Sequence, residues 1–219
     1  MISTLPKWVE VGAFILALVA GFVNAVGLLS FEHQSVSHLS GTATLLGTGF
    51  LTLPFQHTLH LLGILLSFLF GSSIAGFLLH GSTLKLGKHY DTALFLESAL
   101  LLVTLLLLTK GSFYGHFFAS MACGLQNALA TTYSGAIIRT THLTGIFTDL
   151  GIMLGELVKG NELDKRKTKL FLTIIIGFIL GGTLGSLLFL KYHFMALLFP
   201  ASICLLISLV YRLYSKQHH

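Results

Sequence analysis

Gly21-Phe22-Val23-Asn24-Ala25, followed by His38-Leu39-Ser40-Gly41-Thr42-Ala43-Thr44-Leu45-Leu46-Gly47, has a counterpart further along the chain. The counterpart is Gly124-Leu125-Gln126-Asn127-Ala128, followed by His142-Leu143-Thr144-Gly145-Ile146-Phe147-Thr148-Asp149-Leu150-Gly151. The two runs lie about 104 residues apart. A looser match, mainly of glycines, pairs Phe68, Gly71 and Gly76 with Phe178, Gly181 and Gly185 in the same order. This is the pattern of an internal duplication: residues 8–109 form one copy and 110–215 the other, within a single membrane domain covering 1–219.

The surroundings of these runs set the class. Of 219 residues, 54% are hydrophobic and 10% charged, and the mean hydropathy is +0.85. That balance is not the balance of a soluble domain and predicts an integral, all-α membrane protein whose first partner is the lipid bilayer. Apolar stretches at 11–31, 59–80, 92–109, 113–134, 168–190 and 194–214 each approach the ~20 residues that span a bilayer as helix. The first follows Lys7 but is too long for a signal-peptide core and has no small-residue cleavage pattern after it, so it reads as a retained helix.

The net charge of +5 does not indicate nucleic acid. Five of the basic residues, Lys159, Lys165, Arg166, Lys167 and Lys169, occupy one loop beside a span, as cytoplasmic retention requires. The two cysteines, Cys123 and Cys204, lie inside apolar segments and supply neither a disulfide framework nor a CxxC pair.

Residues 37–53 and 141–158 are apolar enough to enter the membrane but short, glycine-punctuated and rich in hydroxyls. If both cross, there are eight spans, parallel repeats, and nine basic residues on the side of Lys7 against four opposite. If neither crosses, there are six, and the division becomes eleven against Lys110 and Lys191. The second division is the sharper one and puts both termini in the cytoplasm. Three spans per copy make the repeats inverted, and the two short segments become re-entrant half-helices. Ser40 and Thr144 stand where N-caps are expected. The N-termini, with their free N–H groups, would approach the midplane from opposite sides and suit an anion or a polar solute.

Candidate solute-binding residues follow from the duplication: Asn24, Asn127, His38, His142, Ser40, Thr144, Gly41, Gly145, Thr44 and Thr148, with Gln126 present beside one copy only. Each asparagine taken alone reads as interhelical glue; its recurrence in both copies favours a cavity lining. The histidines titrate near neutral pH. Glu97, a lone carboxyl in an apolar run, is either a functional group or a snorkelling one. Asp149 pairs with Arg139 or Lys159, or exchanges a proton together with or instead of Glu97. His116 reads as interfacial. A metal site at the two histidines lacks ligands beyond Asp149, and no cofactor is expected.

Together, Gly124 to Ala128, Arg139-Thr140-Thr141-His142-Leu143-Thr144-Gly145 and Thr148-Asp149-Leu150-Gly151 resemble the signature of the YoaK-like family. The run Val36 to Gly41 with Gly47 is similar to that family's first motif, with Asn24 where an Asp is common. The resemblance implies a multi-pass protein of the bacterial inner membrane, a compact helical fold and no established substrate. The leading expectation is therefore a secondary transporter of an unknown small solute, with repeat moving against repeat. The alternatives are a passive channel for water or a small solute and, least favoured because no nucleophile or phosphate loop accompanies the histidines, a membrane-embedded enzyme. Pairing of two copies into a homodimer suits so small a bundle.

Overall fold

The computed structural model describes residues 7–79, 89–134 and 139–217, which are helical with no strand among them. The helices are α1 (Lys7–Leu29), α2 (Leu39–Thr52), α3 (Phe55–Leu78), α4 (Tyr90–Thr109), α5 (Tyr114–Tyr133), α6 (Leu143–Val158), α7 (Lys165–Tyr192) and α8 (Leu198–Gln217). A 3-10 segment, His193–Leu197, joins the last two. The six long apolar stretches are α1, α3, α4, α5, α7 and α8, and the two short ones are α2 and α6. Lys85 and Lys88, which enter the charge division above, lie outside the described residues.

Four helical stretches are long and apolar enough to cross a membrane: Val9–Leu29, Phe55–Leu78, Tyr90–Thr109 and Lys165–Leu213. The last runs through the 3-10 segment. The outside of the bundle is greasy, with Leu66, Phe70, Phe77, Leu106, Ile179, Leu187 and Val210 all exposed. A continuous apolar exterior of this kind belongs against another apolar phase.

Glycine decides which helices touch. At Gly21 and Gly181 an added Cβ would fall inside the van der Waals surface of the Phe178 and Leu18 carbonyls respectively, so α1 and α7 meet backbone to backbone. At Gly124 and Gly71 the same holds against the Phe68 and Met121 carbonyls, which joins α5 to α3. Small residues permit this close approach where helix association gains little from water exclusion.

Register gives direction. Phe14, Leu18 and Phe22 lie against Gly177, Gly181 and Gly185 in turn, so α1 and α7 run parallel. Ser120 Oγ donates to Ile64 O at 2.9 Å and Ser72 Oγ to Gly124 O at 3.0 Å, so α3 and α5 also run parallel. By contrast, Ser98 Oγ donates to Ala201 O at 2.8 Å and Ser208 Oγ to Asp91 O at 2.7 Å. As α4 advances, α8 recedes: the two are antiparallel. Each parallel pair thus takes one helix from each half of the chain, and the halves interlock instead of standing as two bodies that slide past one another.

The ends of the bundle are equally defined. The starts of α1 and α7 meet where Glu10 sits 2.8 Å from Lys169 Nζ and 3.9 Å from Arg166 Nε; Asp164 caps α7 by accepting the Arg166 and Lys167 N–H groups. At the other end Ser30, just past α1, is 2.7 Å from His116 Nε2 in the first turn of α5. His60, early in α3, stacks on Phe113 with ring centroids 3.8 Å apart. The end of α1 and the starts of α3 and α5 therefore share one face of the bundle.

Candidate functional site

Asn24, buried on α1, organises the turn that leads into α2. Its Oδ1 accepts from Ser35 Oγ and Ser37 Oγ, both at 2.9 Å, and from the Ser37 N–H at 3.3 Å. Ser35 Oγ in turn accepts the His38 N–H at 3.0 Å. A buried amide oxygen so occupied is worth about 1 kcal/mol per bond, and its removal would orphan the donors at about 1–3 kcal/mol. The expectation that Ser40 and Thr144 cap the short helices is corrected here. The N-cap positions are His38 and His142, whose side chains make no capping bond, because at the first helix the turn is held from Asn24.

His38 brings the head of α2 to mid-depth. Its ring lies 5.5 Å from that of Phe178, which is midway along α7.

The second junction is built from matching residues and bonded differently. Asn127 Oδ1 and Thr140 Oγ1 are buried with no hydrogen-bond partner among the described residues. His142 is exposed and its ring folds over Gly145, where a Cβ would collide with it. Gly41, at the corresponding place in α2, faces open space. Gln126 is buried and donates through Nε2 to the Leu16 carbonyl, tying α5 to α1. That is a packing role.

Ser40, Gly41, Thr44, Thr144 and Thr148 are exposed along α2 and α6. The Thr44 hydroxyl donates to Ser40 O at 3.0 Å and that of Thr148 to Thr144 O at 2.9 Å. Of the short helices, only Thr42 and Gly49 in α2 and Ile146 in α6 are buried. Among the described residues no hydrogen bond or ring contact joins His38 to His142 or Asn24 to Asn127.

The two candidate carboxyls part company. Asp149 pairs with Lys167 at 3.4 Å, neither Arg139 nor Lys159, and its side chain is 45% exposed. Glu97 is 1% exposed, which excludes snorkelling; the buried Cys204 thiol lies beside it, and its Oε2 has no partner among the described residues.

His116, in the first turn of α5, is fully buried, sealed by Ser30 and by the Phe113 carbonyl at 3.2 Å. The flanking run of Phe113, Tyr114, Phe117 and Phe118 is the signal that an aromatic cover was available. Among the described residues no group of three or more His, Cys, Asp or Glu is placed to hold a metal ion.

Membrane-length helices, an apolar exterior and buried polar junctions define a helical protein of the membrane-embedded type. The chain belongs to the family described as Protein of unknown function (DUF1275), which matches residues 12–210. No curated protein and no solved structure matches it.

Proposed function

We propose that the chain is a small secondary transporter built from two inverted repeats, with six spans and with α2 and α6 as re-entrant half-helices. The directions of the helices support this topology. If α2 and α6 crossed, α4 and α8 would run parallel; their antiparallel hydrogen bonds favour an odd number of spans per repeat. The shared end of α1, α3 and α5 likewise brings α2 back to the face it left. The basic start of α7 then marks the cytoplasmic side of a bacterial inner membrane, with both termini there.

The observation that carries the transport reading is the unequal state of two equivalent polar junctions. One amide oxygen, Asn24 Oδ1, accepts three hydrogen bonds. The other, Asn127 Oδ1, is a buried acceptor with no partner among the described residues, and buried orphans of this kind demand a partner. A solute that donates hydrogen bonds fits there. Because each close helix pair mixes the repeats, alternating access is a movement of the α1–α7 pair against the α3–α5 pair.

The test is a thermal-shift screen of polar metabolites on wild type and Asn127→Ala, then uptake of the hits into proteoliposomes. A ligand lost in Asn127→Ala and accumulated only under an imposed gradient supports the transporter. Equilibration without a gradient makes the protein a channel. Equal stabilisation of wild type and Asn127→Ala by every ligand removes the site.

A further inference from the structure

Glu97 sits where α4 and α8 cross, next to the Ser98–Ala201 bond of 2.8 Å that pins the crossing. The groups that face it are few. Cys123 of α5 and Cys204 of α8 are both buried and lie near enough to interact with it electrostatically. The 3-10 segment contributes only Ala196 and Leu197 to the interior. Among the described residues Glu97 forms no ion pair.

Taking a carboxylate out of water without a counter-charge costs several kcal/mol, and one thiol, a weak donor, does not offset that. The packing therefore accommodates the uncharged acid. An acid whose Oε2 is unpartnered among the described residues has an open position for a proton acceptor. A bound metal or alkali cation does not fit: such ions require several oxygen ligands, and the neighbours here are thiols and apolar side chains. Asp149, paired to Lys167 with its side chain 45% exposed, has a cation beside it and no enclosure.

We propose that Glu97 is a proton-exchanging carboxyl, enclosed beside Cys204 at the α4–α8 crossing, and that it is the coupling group of the transporter reading on which this rests. In the step, the O–H bond at Oε2 breaks and the proton passes to a water admitted when the crossing loosens toward one side. The carboxylate left behind takes a proton from water on the other side, and the acid is restored.

The experiment uses dicyclohexylcarbodiimide, which adds to protonated carboxyls in apolar surroundings, on the purified full chain in detergent micelles, with the adduct located by mass spectrometry. The expected result is an adduct at Glu97, absent in Glu97→Gln, with a labelling rate that falls about tenfold per pH unit once the carboxyl ionises. Glu97→Asp, which keeps the acid, retains a pH-dependent adduct, so the result does not hang on the folding of Glu97→Gln. Cys204→Ala moves the fall to higher pH because the ionised form loses a donor, whereas Cys204→Ser leaves it nearly in place. A folded wild type that is unlabelled at Glu97 at every pH, or labelled at a rate independent of pH, overturns the proposal. Labelling requires no transport: an adduct at Glu97 with no gradient-driven uptake would sink the transporter and leave the proton site, and gradient-driven uptake with Glu97 unlabelled would do the reverse.

Discussion

The junction ahead of α2 and the junction ahead of α6 use the same asparagine, the same glycine three residues before it and the same histidine at the helix head, yet only the first is closed. The difference lies in the turn. Ser35 has a hydroxyl that both donates to Asn24 and accepts from the His38 N–H. Arg139 stands at the matching position of the second copy and has donors but no acceptor, and it is exposed. Thr141, at the place of Ser37, keeps a hydroxyl, so what distinguishes the second junction in sequence is Arg139 for Ser35 together with one extra residue between Asn127 and His142. A duplicated motif can thus keep its scaffold and divide its roles.

The comparison can be broken most severely at its foundation. Leucine at Gly21 or Gly124 forces a side chain into the opposing Phe178 or Phe68 backbone. Each change should cost about 3 kcal/mol or more of stability, seen as thermal unfolding in detergent, and similar losses at the two sites would show that the scaffolds are equivalent.

The next largest effect separates the copies. Asn24→Ala orphans the Ser35 and Ser37 donors and should cost about 1–3 kcal/mol, whereas Asn127→Ala should leave the unfolding temperature almost unchanged and abolish ligand stabilisation. Equal losses from both would mean that Asn127 is bonded in solution as Asn24 is. Arg139→Ser sharpens the contrast from the other side. A hydroxyl there should close the second junction and add about 1 kcal/mol of stability while slowing solute uptake; added stability with unchanged uptake would detach the junction from transport. The smallest effect belongs to Asp149→Asn, which removes a surface pair with Lys167 worth under about 1 kcal/mol. It should leave the dependence of uptake on a proton gradient intact, and loss of that dependence would return the coupling role to Asp149.

Much of the helix inventory was legible in the residues. Length and hydropathy delimit α1, α3, α4, α5, α7 and α8, and glycine and threonine punctuation sets α2 and α6 apart as shorter. The caps were misread because the group that holds the head of α2 is Asn24, thirteen residues upstream of Ser37, where local cap patterns do not look. The burial of His116 was not legible because position along an apolar run does not say which distant neighbours cover a residue; Ser30 and Phe31 come from just past the end of α1.

What the sequence determined by itself is what depends on local chemistry: that the chain is helical and greasy, that a polar motif occurs twice, and that one carboxyl, Glu97, has no charged neighbour along the chain. What only the tertiary structure decided is which helices meet and in which direction. That depends on glycines on separate helices allowing backbones into contact, α1 with α7 and α3 with α5, and on two serine hydroxyls that lock α4 against α8 in opposite directions. The hydrogen bonds among these contacts join residues 52 to 117 positions apart, and their energy exists only once the helices have packed, so no local pattern could carry them.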